Sequence, residues 1–285
     1  MKIQTRRPHW LKIKLPGGPG FSRVHDIVRD EKLCTVCQSA RCPNIAECWS
    51  RQTATFMLLG DICTRNCRFC AVTSGNPGPV DFSEPVRVAN AVKALNLKYA
   101  VVTSVTRDDL ADGGAFIFAE TIRQIRIKKP DCRVEVLIPD FKGSETALHT
   151  VLEAQPDVLN HNVETVPGLY SRVRPQADYR QSLEVLKRAA DHGSKTKSGI
   201  MVGIGETDSQ VYNVMKDLLS VNCKMLTIGQ YLQPSKDHVP IERFVTPEEF
   251  DEFKRIGLEL GFDHIESGPL VRSSYHADEQ FNGHD

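Results

Sequence analysis

The alternation of apolar and polar positions changes character near residue 54. Before it, residues 1–50 look irregular, with Pro-Gly turns at Pro16–Gly20. From Ala54 onward, short apolar runs rich in β-branched residues recur: Ala54–Leu59, Tyr99–Ser104, Val134–Ile138, Asp157–Asn162, Lys197–Gly203 and Met225–Gln230. Each has the length and composition of a strand buried on both faces. A helix-like segment follows each one: Pro85–Leu95, Gly114–Lys128, Ser144–Ala154, Tyr179–His192, Asp208–Ser220 and Pro247–Leu260. The last is well punctuated. Thr246 serves as N-cap, Pro247 fits the first helical position, Glu249 completes a capping box and Gly261 supplies the stop.

Six β–α units in series imply parallel strands joined by right-handed crossovers. Six units do not close an eight-unit barrel. The expected fold is therefore α/β, an open partial (β/α)6 barrel spanning 51–262, with extensions at 1–50 and 263–285. The segment after the last helix is too short for two more units and reads as a tail returning to the site. In such a barrel the chemistry belongs at the C-terminal ends of the strands.

The 285 residues carry 40% apolar and 25% charged side chains, ordinary for a globular protein, and their formal net charge is zero. No basic field points to nucleic acid. No apolar run reaches the roughly 18 residues of a membrane span. The basic opening MKIQTRRPHWLKIKLPGG lacks the continuous apolar core of a secretory signal. The expected location is thus the cytoplasm, a reducing compartment. Of nine cysteines, Cys34, Cys37, Cys42, Cys48, Cys63, Cys67 and Cys70 crowd together, while Cys132 and Cys223 stand alone and read as packed thiols. Crowding in a reducing compartment favours metal over disulfides.

Cys63-x3-Cys67-x2-Cys70, in GDICTRNCRFC, follows the first strand and so lies at the active end of the barrel. Three thiolates suit a thiophilic site, whereas structural zinc takes four ligands and no fourth lies nearby. A four-iron cluster held by three cysteines leaves one iron open. This motif resembles the signature of the radical S-adenosylmethionine superfamily, as does Phe69 before the last cysteine. The resemblance implies that the open iron binds the methionine moiety and that an electron from the cluster cleaves the sulfonium. The 5′-deoxyadenosyl radical so formed abstracts hydrogen from unactivated carbon.

Upstream lies Cys37-x4-Cys42-x5-Cys48, in CQSARCPNIAEC. This spacing resembles the auxiliary-cluster motif of the lipoyl synthase family. So do the RRPHWLKIKLP opening, Asn160–Thr165 (NHNVET) and the tail Arg272-Ser273-Ser274-Tyr275-His276-Ala277. The resemblance implies that Ser274 is an oxygen ligand of a second 4Fe–4S cluster and is released on sulfur transfer. Cys34 departs from the pattern; it is a spare thiol, an alternative ligand or inert, and the non-ligand reading is favoured because Ser274 already completes the set.

Polar residues closing the fourth strand are poorly placed for packing and well placed for a ligand. By similarity to biotin synthase-like enzymes, Asn162 and Glu164 are assigned to the ribose of S-adenosylmethionine. Arg174 could pair with the methionine carboxylate, with a surface salt bridge as the other reading. Thr103 and Ser104 end the second strand and could meet the amino group. Gly203, in Gly203-Ile204-Gly205-Glu206, would let adenine approach the backbone, with an ordinary turn as the default. Asp108-Asp109 and Asp112-Gly113-Gly114 form an acidic turn after the second strand, whose glycines are read as starting the following helix and nothing more.

The family resemblance implies sulfur insertion at C6 and C8 of an octanoyl group amide-linked to a carrier lysine, with the auxiliary cluster as donor. It also implies octanoylated lipoyl carrier domains as partners, namely 2-oxoacid dehydrogenase E2 subunits and the glycine cleavage H protein. An electron donor such as ferredoxin or flavodoxin and a cluster-repair protein are implied as well. The basic start (Lys2, Arg6, Arg7, Lys12, Lys14, with Trp10) would dock an acidic carrier domain, aided by electrostatic steering. Two rivals stand beside this reading: a radical enzyme using its second cluster for electron transfer or anchoring, and a non-enzymatic iron–sulfur carrier or zinc-stabilised module.

Overall fold

The structure, a computed structural model, describes residues 7–13, 15–277 and 279; Lys2, Arg6 and Lys14 of the basic opening lie outside the described residues. The chain forms two compact units. The first takes residues 15–65 and 71–160. Its strands are β1 (Cys34–Thr35), β2 (Thr55–Leu58), β3 (Tyr99–Ser104), β4 (Arg133–Leu137) and β5 (Val158–Asn160), hydrogen-bonded in that order. β2 to β5 are mutually parallel; β1 pairs antiparallel to β2, with Cys34 opposite Met57. Phe56, Leu58, Ala100, Val102, Val134 and Val136 are fully buried. On the opposite face of β2 and β3, Met57 and Val101 are buried as well, as in parallel strands covered on both sides.

Helices α1 (Pro19–Asp30), α2 (Val36–Ser39), α3 (Ile45–Ser50), α4 (Glu84–Ala94), α5 (Ala115–Lys128) and α6 (Glu145–Leu152) complete this unit, with α5 packed between α4 and α6. The N-terminal segment is therefore not irregular, as its sequence had suggested. Pro19, which reads as part of a turn, opens α1 from the first-turn position, where the missing N–H costs nothing. Gly20 serves a close crossing: a Cβ there would lie 2.4 Å from the Ser50 carbonyl oxygen at the end of α3.

The second unit takes residues 7–13, 66–70 and the described residues from 161 on. Strands β6 (Thr196–Val202), β7 (Met225–Gln230) and β8 (His264–Gly268) run parallel in that order. Helices α7 (Tyr179–Asp191), α8 (Asp208–Ser220) and α9 (Pro247–Leu260) accompany them. Capping boxes start α8 at Thr207 and α9 at Thr246, and Gly261 ends α9 with φ 111°. The α8–α9 layer meets the strands through Val211, Met215, Leu218, Phe250 and Phe253, all buried.

All six expected strand–helix units form, with boundaries shifted by at most two residues. The segment after α9 is not only a tail, because it begins with β8, parallel to β7 in continuous register from His264↔Met225 to Gly268↔Gly229. Only Ile265 of β8 is deeply buried. That is why the strand lacks an apolar run. No helix among the described residues is long and apolar enough to cross a membrane.

Candidate active site

β2 ends in a left-handed turn at Leu59 (φ 68°) and Gly60 (φ 90°). The buried Glu84 at the start of α4 secures it, accepting from the Leu59 N–H at 2.8 Å. The chain then enters the first cysteine motif, where Ile62–Cys63 pairs with Thr73–Ser74. Thr64 donates to the Thr106 carbonyl through both N–H (3.0 Å) and Oγ1 (2.9 Å), and its hydroxyl accepts from the Asp108 N–H at 3.0 Å. The Arg65 guanidinium forks onto Asp108 (2.7 and 3.0 Å) and Asp140 (2.8 and 2.7 Å). Cys63 Sγ accepts from the Arg65 N–H at 3.4 Å and the Thr106 N–H at 3.3 Å. Two donors aimed at one sulfur suit a thiolate that carries negative charge.

Residues 66–70 belong to the second unit. The Arg68 N–H donates to Val173 O (2.8 Å), its carbonyl accepts from the Val239 N–H (3.0 Å), and the Cys70 N–H donates to Cys67 O (3.1 Å). His238 Nε2 donates to the Cys70 carbonyl at 2.9 Å. Phe69 packs on Val173, Ile204, Tyr231 and Val239. Its place in the motif is thus explained by anchoring of the loop.

The auxiliary motif lies in the first unit. Cys37 sits in α2, Cys48 in α3 and Cys42 between them. Burial, then the neighbouring Cys42, pushes the Cys37 thiol up to about 11. Burial, then Cys37 and Cys42, pushes Cys48 up to about 12. Cys37 therefore feels the charge of Cys42, and Cys48 that of Cys37 and Cys42. Cys34 does not share their field: its thiol is raised by burial, then by Asp61 and Glu84. Among the described residues, no three His, Cys, Asp or Glu side chains converge as ligands of a single ion. Cys132 and Cys223 are buried at 1% and 0% exposure, as packed thiols should be.

At the end of β3, Thr103 Oγ1 donates to Leu137 O at 2.8 Å, whereas Ser104 Oγ is buried with no hydrogen-bond partner. The orphaned hydroxyl fits a ligand group there. In the second unit, Asn162 Nδ2 donates to Glu164 Oε1 (3.1 Å) and to Ser273 Oγ (2.7 Å), and its Oδ1 is buried without a partner. Glu164 takes a left-handed backbone (φ 66°), the kind of strain that sites retain. Burial raises its carboxyl pKa against the opposing influence of Arg174, Asn162 and Arg272.

Arg174 is no surface ion pair. It is buried, and its Nη1 donates to the carbonyls of Asn162 (2.9 Å) and Val163 (3.3 Å), bracing the turn that holds Asn162 and Glu164. Gly203 has a packing reason of its own: a Cβ there would lie 2.2 Å from Gln230 Nε2 and 2.5 Å from Arg243 O, and its φ is 94°. The following Glu206 closes the strand end by accepting from the N–H groups of Gly203 (2.6 Å) and Ile204 (2.9 Å). Ser274 lies in the turn 273–276, and the tail before it crosses β7 so closely that a Cβ on Gly229 would lie 2.1 Å from Val271 O.

Sequence reasoning missed Arg65, Asp140, Thr106 and Ser273. Asp108 was noticed only as part of an acidic turn, and a charge-rich turn gives no signal of which carboxylate is buried. Gly114 does start α5 as its N-cap, and Asp112 accepts from the N–H groups of Gly114 and Phe116 at 2.9 Å each.

A family model for the radical SAM superfamily matches residues 57–218, and one for the N-terminal domain of lipoyl synthase of the radical SAM family matches residues 1–42. A lipoyl synthase of Rubrobacter xylanophilus is 57% identical over 276 residues, 96% of this chain and 86% of the relative. The chain belongs to the lipoyl synthase family. A lipoyl synthase of Caldanaerobacter subterraneus is 58% identical over 97% of each chain. Streptococcus suis SuiB bound to S-adenosylmethionine superposes with a TM-score of 0.58 at 8% identity, covering 80% of this chain and 54% of that one. Methylornithine synthase (PylB) gives 0.50 at 13%, covering 92% and 82%. These likenesses show the α/β radical SAM fold. As a member of the lipoyl synthase family, the chain is a radical SAM sulfur-inserting enzyme that uses S-adenosylmethionine and 4Fe–4S clusters.

Proposed function

We propose that the chain inserts sulfur at C6 and C8 of an octanoyl group amide-linked to a lysine of a lipoyl carrier domain. In this reading Cys63, Cys67 and Cys70 hold the cluster that cleaves S-adenosylmethionine, and Cys37, Cys42, Cys48 and Ser274 hold the cluster that is the sulfur substrate. When bound, the first cluster supplies the electron that generates the 5′-deoxyadenosyl radical. One observation carries the division of labour: Cys42 raises the Cys37 pKa, and Cys37 and Cys42 raise that of Cys48, while Cys63 belongs to a separate loop with its own N–H donors.

The protein's own groups bind and orient. Ser104 and Thr103 offer hydroxyl oxygens to the amino group of S-adenosylmethionine, and Asn162 and Glu164 meet the ribose hydroxyls. Arg174 acts through that turn, supporting its carbonyls and offsetting the Glu164 charge. Residues 1–50 supply the auxiliary motif, 51–262 the barrel, and 263–285 the segment bearing Ser274. The E2 subunits of 2-oxoacid dehydrogenases and the glycine cleavage H protein are the proposed carriers. A ferredoxin or flavodoxin supplies electrons, a repair protein rebuilds the consumed cluster, and the cytoplasm is the proposed location.

The test is an anaerobic single turnover of the cluster-loaded enzyme with reductant, S-adenosylmethionine and an octanoyl-lysine peptide, followed by mass spectrometry. The expected product gains two sulfurs and is accompanied by 5′-deoxyadenosine. 5′-Deoxyadenosine with an unchanged peptide would overturn the substrate assignment while keeping the radical one.

A further inference from the structure

Arg65 stands between two cysteines of the first motif, yet its side chain is only 5% exposed and is spent on two carboxylates. Asp140, which takes half of the fork, is fully inaccessible. A buried ion pair contributes little net stability, because desolvation cancels most of the attraction. What a guanidinium between two carboxylates does supply is a fixed geometry, since its planar donors match carboxylates in one arrangement only. The parts fixed here are specific. Asp108 belongs to the loop after β3, Asp140 to the loop after β4, and Arg65 to the cysteine loop. The loop after β3 also carries Thr106, whose N–H is one donor to Cys63 Sγ, and Arg65 itself supplies the other.

We propose that the Arg65–Asp108–Asp140 clamp is a positioning device that holds Cys63 Sγ between two backbone N–H donors and thereby sets the reduction potential of the radical-generating cluster. The inference rests on Cys63 being a ligand of that cluster. Hydrogen bonds to a ligating sulfur draw density from it and favour the reduced, more negative state. Thr64 works in the same direction without charge, joining the cysteine loop to Thr106 and Asp108 through its hydroxyl. Asp140 is held in turn by the Lys142 N–H at 3.0 Å, so the clamp is braced from outside the cysteine loop.

The experiment is a redox titration of the cluster-loaded enzyme, following the reduced-cluster electron paramagnetic resonance signal that S-adenosylmethionine perturbs, in the parent, Arg65→Gln, Arg65→Lys and Thr64→Val proteins. Arg65→Gln should retain iron and sulfide but disfavour reduction about tenfold, equivalent to about 59 mV for a one-electron couple. Arg65→Lys should fall between it and the parent, since an ammonium can satisfy one carboxylate well but not both. Thr64→Val changes no charge and should disfavour reduction about threefold through loosened donors. Variants that keep the cluster and the parent potential, with only thermal stability lowered, would overturn the inference. If Arg65→Gln loses its cluster, Thr64→Val decides by the same criterion. A parent protein with no signal perturbed by S-adenosylmethionine would instead overturn the ligand assignment on which the clamp rests.

Discussion

The two cysteine motifs are built on opposite principles. The Cys63 loop is polar and tied down: its residues bond to the Thr106–Asp108 loop, and its first sulfur already receives two N–H donors. The Cys37–Cys42–Cys48 group sits on two short helices and owes its character to burial, which holds Cys37 and Cys48 strongly toward the neutral thiol. Two backbone donors hold the first sulfur in one place. Thiols that are buried and crowd one another keep a negative charge only while a metal offsets it. The first arrangement suits a centre that must survive each turnover. The second suits one whose ligands favour the neutral state once iron leaves.

Removing one sulfur from each group breaks the comparison most directly. Cys63→Ala should lower 5′-deoxyadenosine formation by about three orders of magnitude or more, because the cofactor carries that chemistry. Cys37→Ala should leave 5′-deoxyadenosine formation in place and abolish sulfur insertion. Chromatography of the nucleoside and mass spectrometry of the peptide read the two separately. Equal loss of both products in both variants would mean that the motifs form one functional unit.

Ser274→Ala is the next largest change. Sulfur insertion should fall about a hundredfold while cleavage of S-adenosylmethionine persists, since only the proposed oxygen ligand of the donor cluster is lost. Ser274→Cys sharpens the point. A thiolate is a better iron ligand and should raise retention of the auxiliary iron while still slowing insertion. Faster insertion by Ser274→Cys would contradict the idea that the ligand has to leave.

Asn162 joins the turn it shares with Glu164 to the tail through its 2.7 Å bond to Ser273. Asn162→Ala should raise the KM for S-adenosylmethionine about tenfold, about 1.4 kcal/mol. It should also slow insertion more than cleavage, because Ser273 precedes Ser274. A change in KM alone would show that the tail bond has no part in sulfur transfer.

Legibility followed the same divide. β2 to β7 and their helices were readable because short runs rich in apolar and β-branched residues alternate with helix-length segments, and Thr246, Pro247 and Gly261 mark α9 at both ends. β8 was not, since Ile265 is the only residue in it that is deeply buried. The helices before residue 50 were hidden by Gly18–Gly20, where proline opens α1 and Gly20 crosses α3 instead of forming a turn. Among the candidate site residues, cysteine spacing stands out in the sequence because metal ligands are few in kind. The Arg65 clamp was not, because its partners lie 43 and 75 residues away and only the fold brings them together. Arg174 shows the converse: its position near the site was evident, but its engagement with the Asn162 and Val163 carbonyls depends on backbone the sequence does not reveal.

Cys34 gives the smallest expected effect and the finest test of the comparison. It lies three positions before Cys37 and could pass for a fourth thiolate of the auxiliary group. In the structure it belongs to β1, opposite Met57, and its thiol feels Asp61 and Glu84 after burial, not the other three sulfurs. If grouping by shared field defines the ligand set, Cys34→Ser should leave the iron and sulfide content and the amount of inserted sulfur unchanged. Its cost should be limited to stability, about 0.5–1 kcal/mol for replacing a half-buried thiol by a hydroxyl, read as a small fall in the denaturant midpoint at constant slope. Loss of auxiliary iron in Cys34→Ser would instead make Cys34 a ligand. Ser274 would then no longer be needed to complete the set, and the contrast between a tied loop and a buried trio would have to be redrawn around four thiolates.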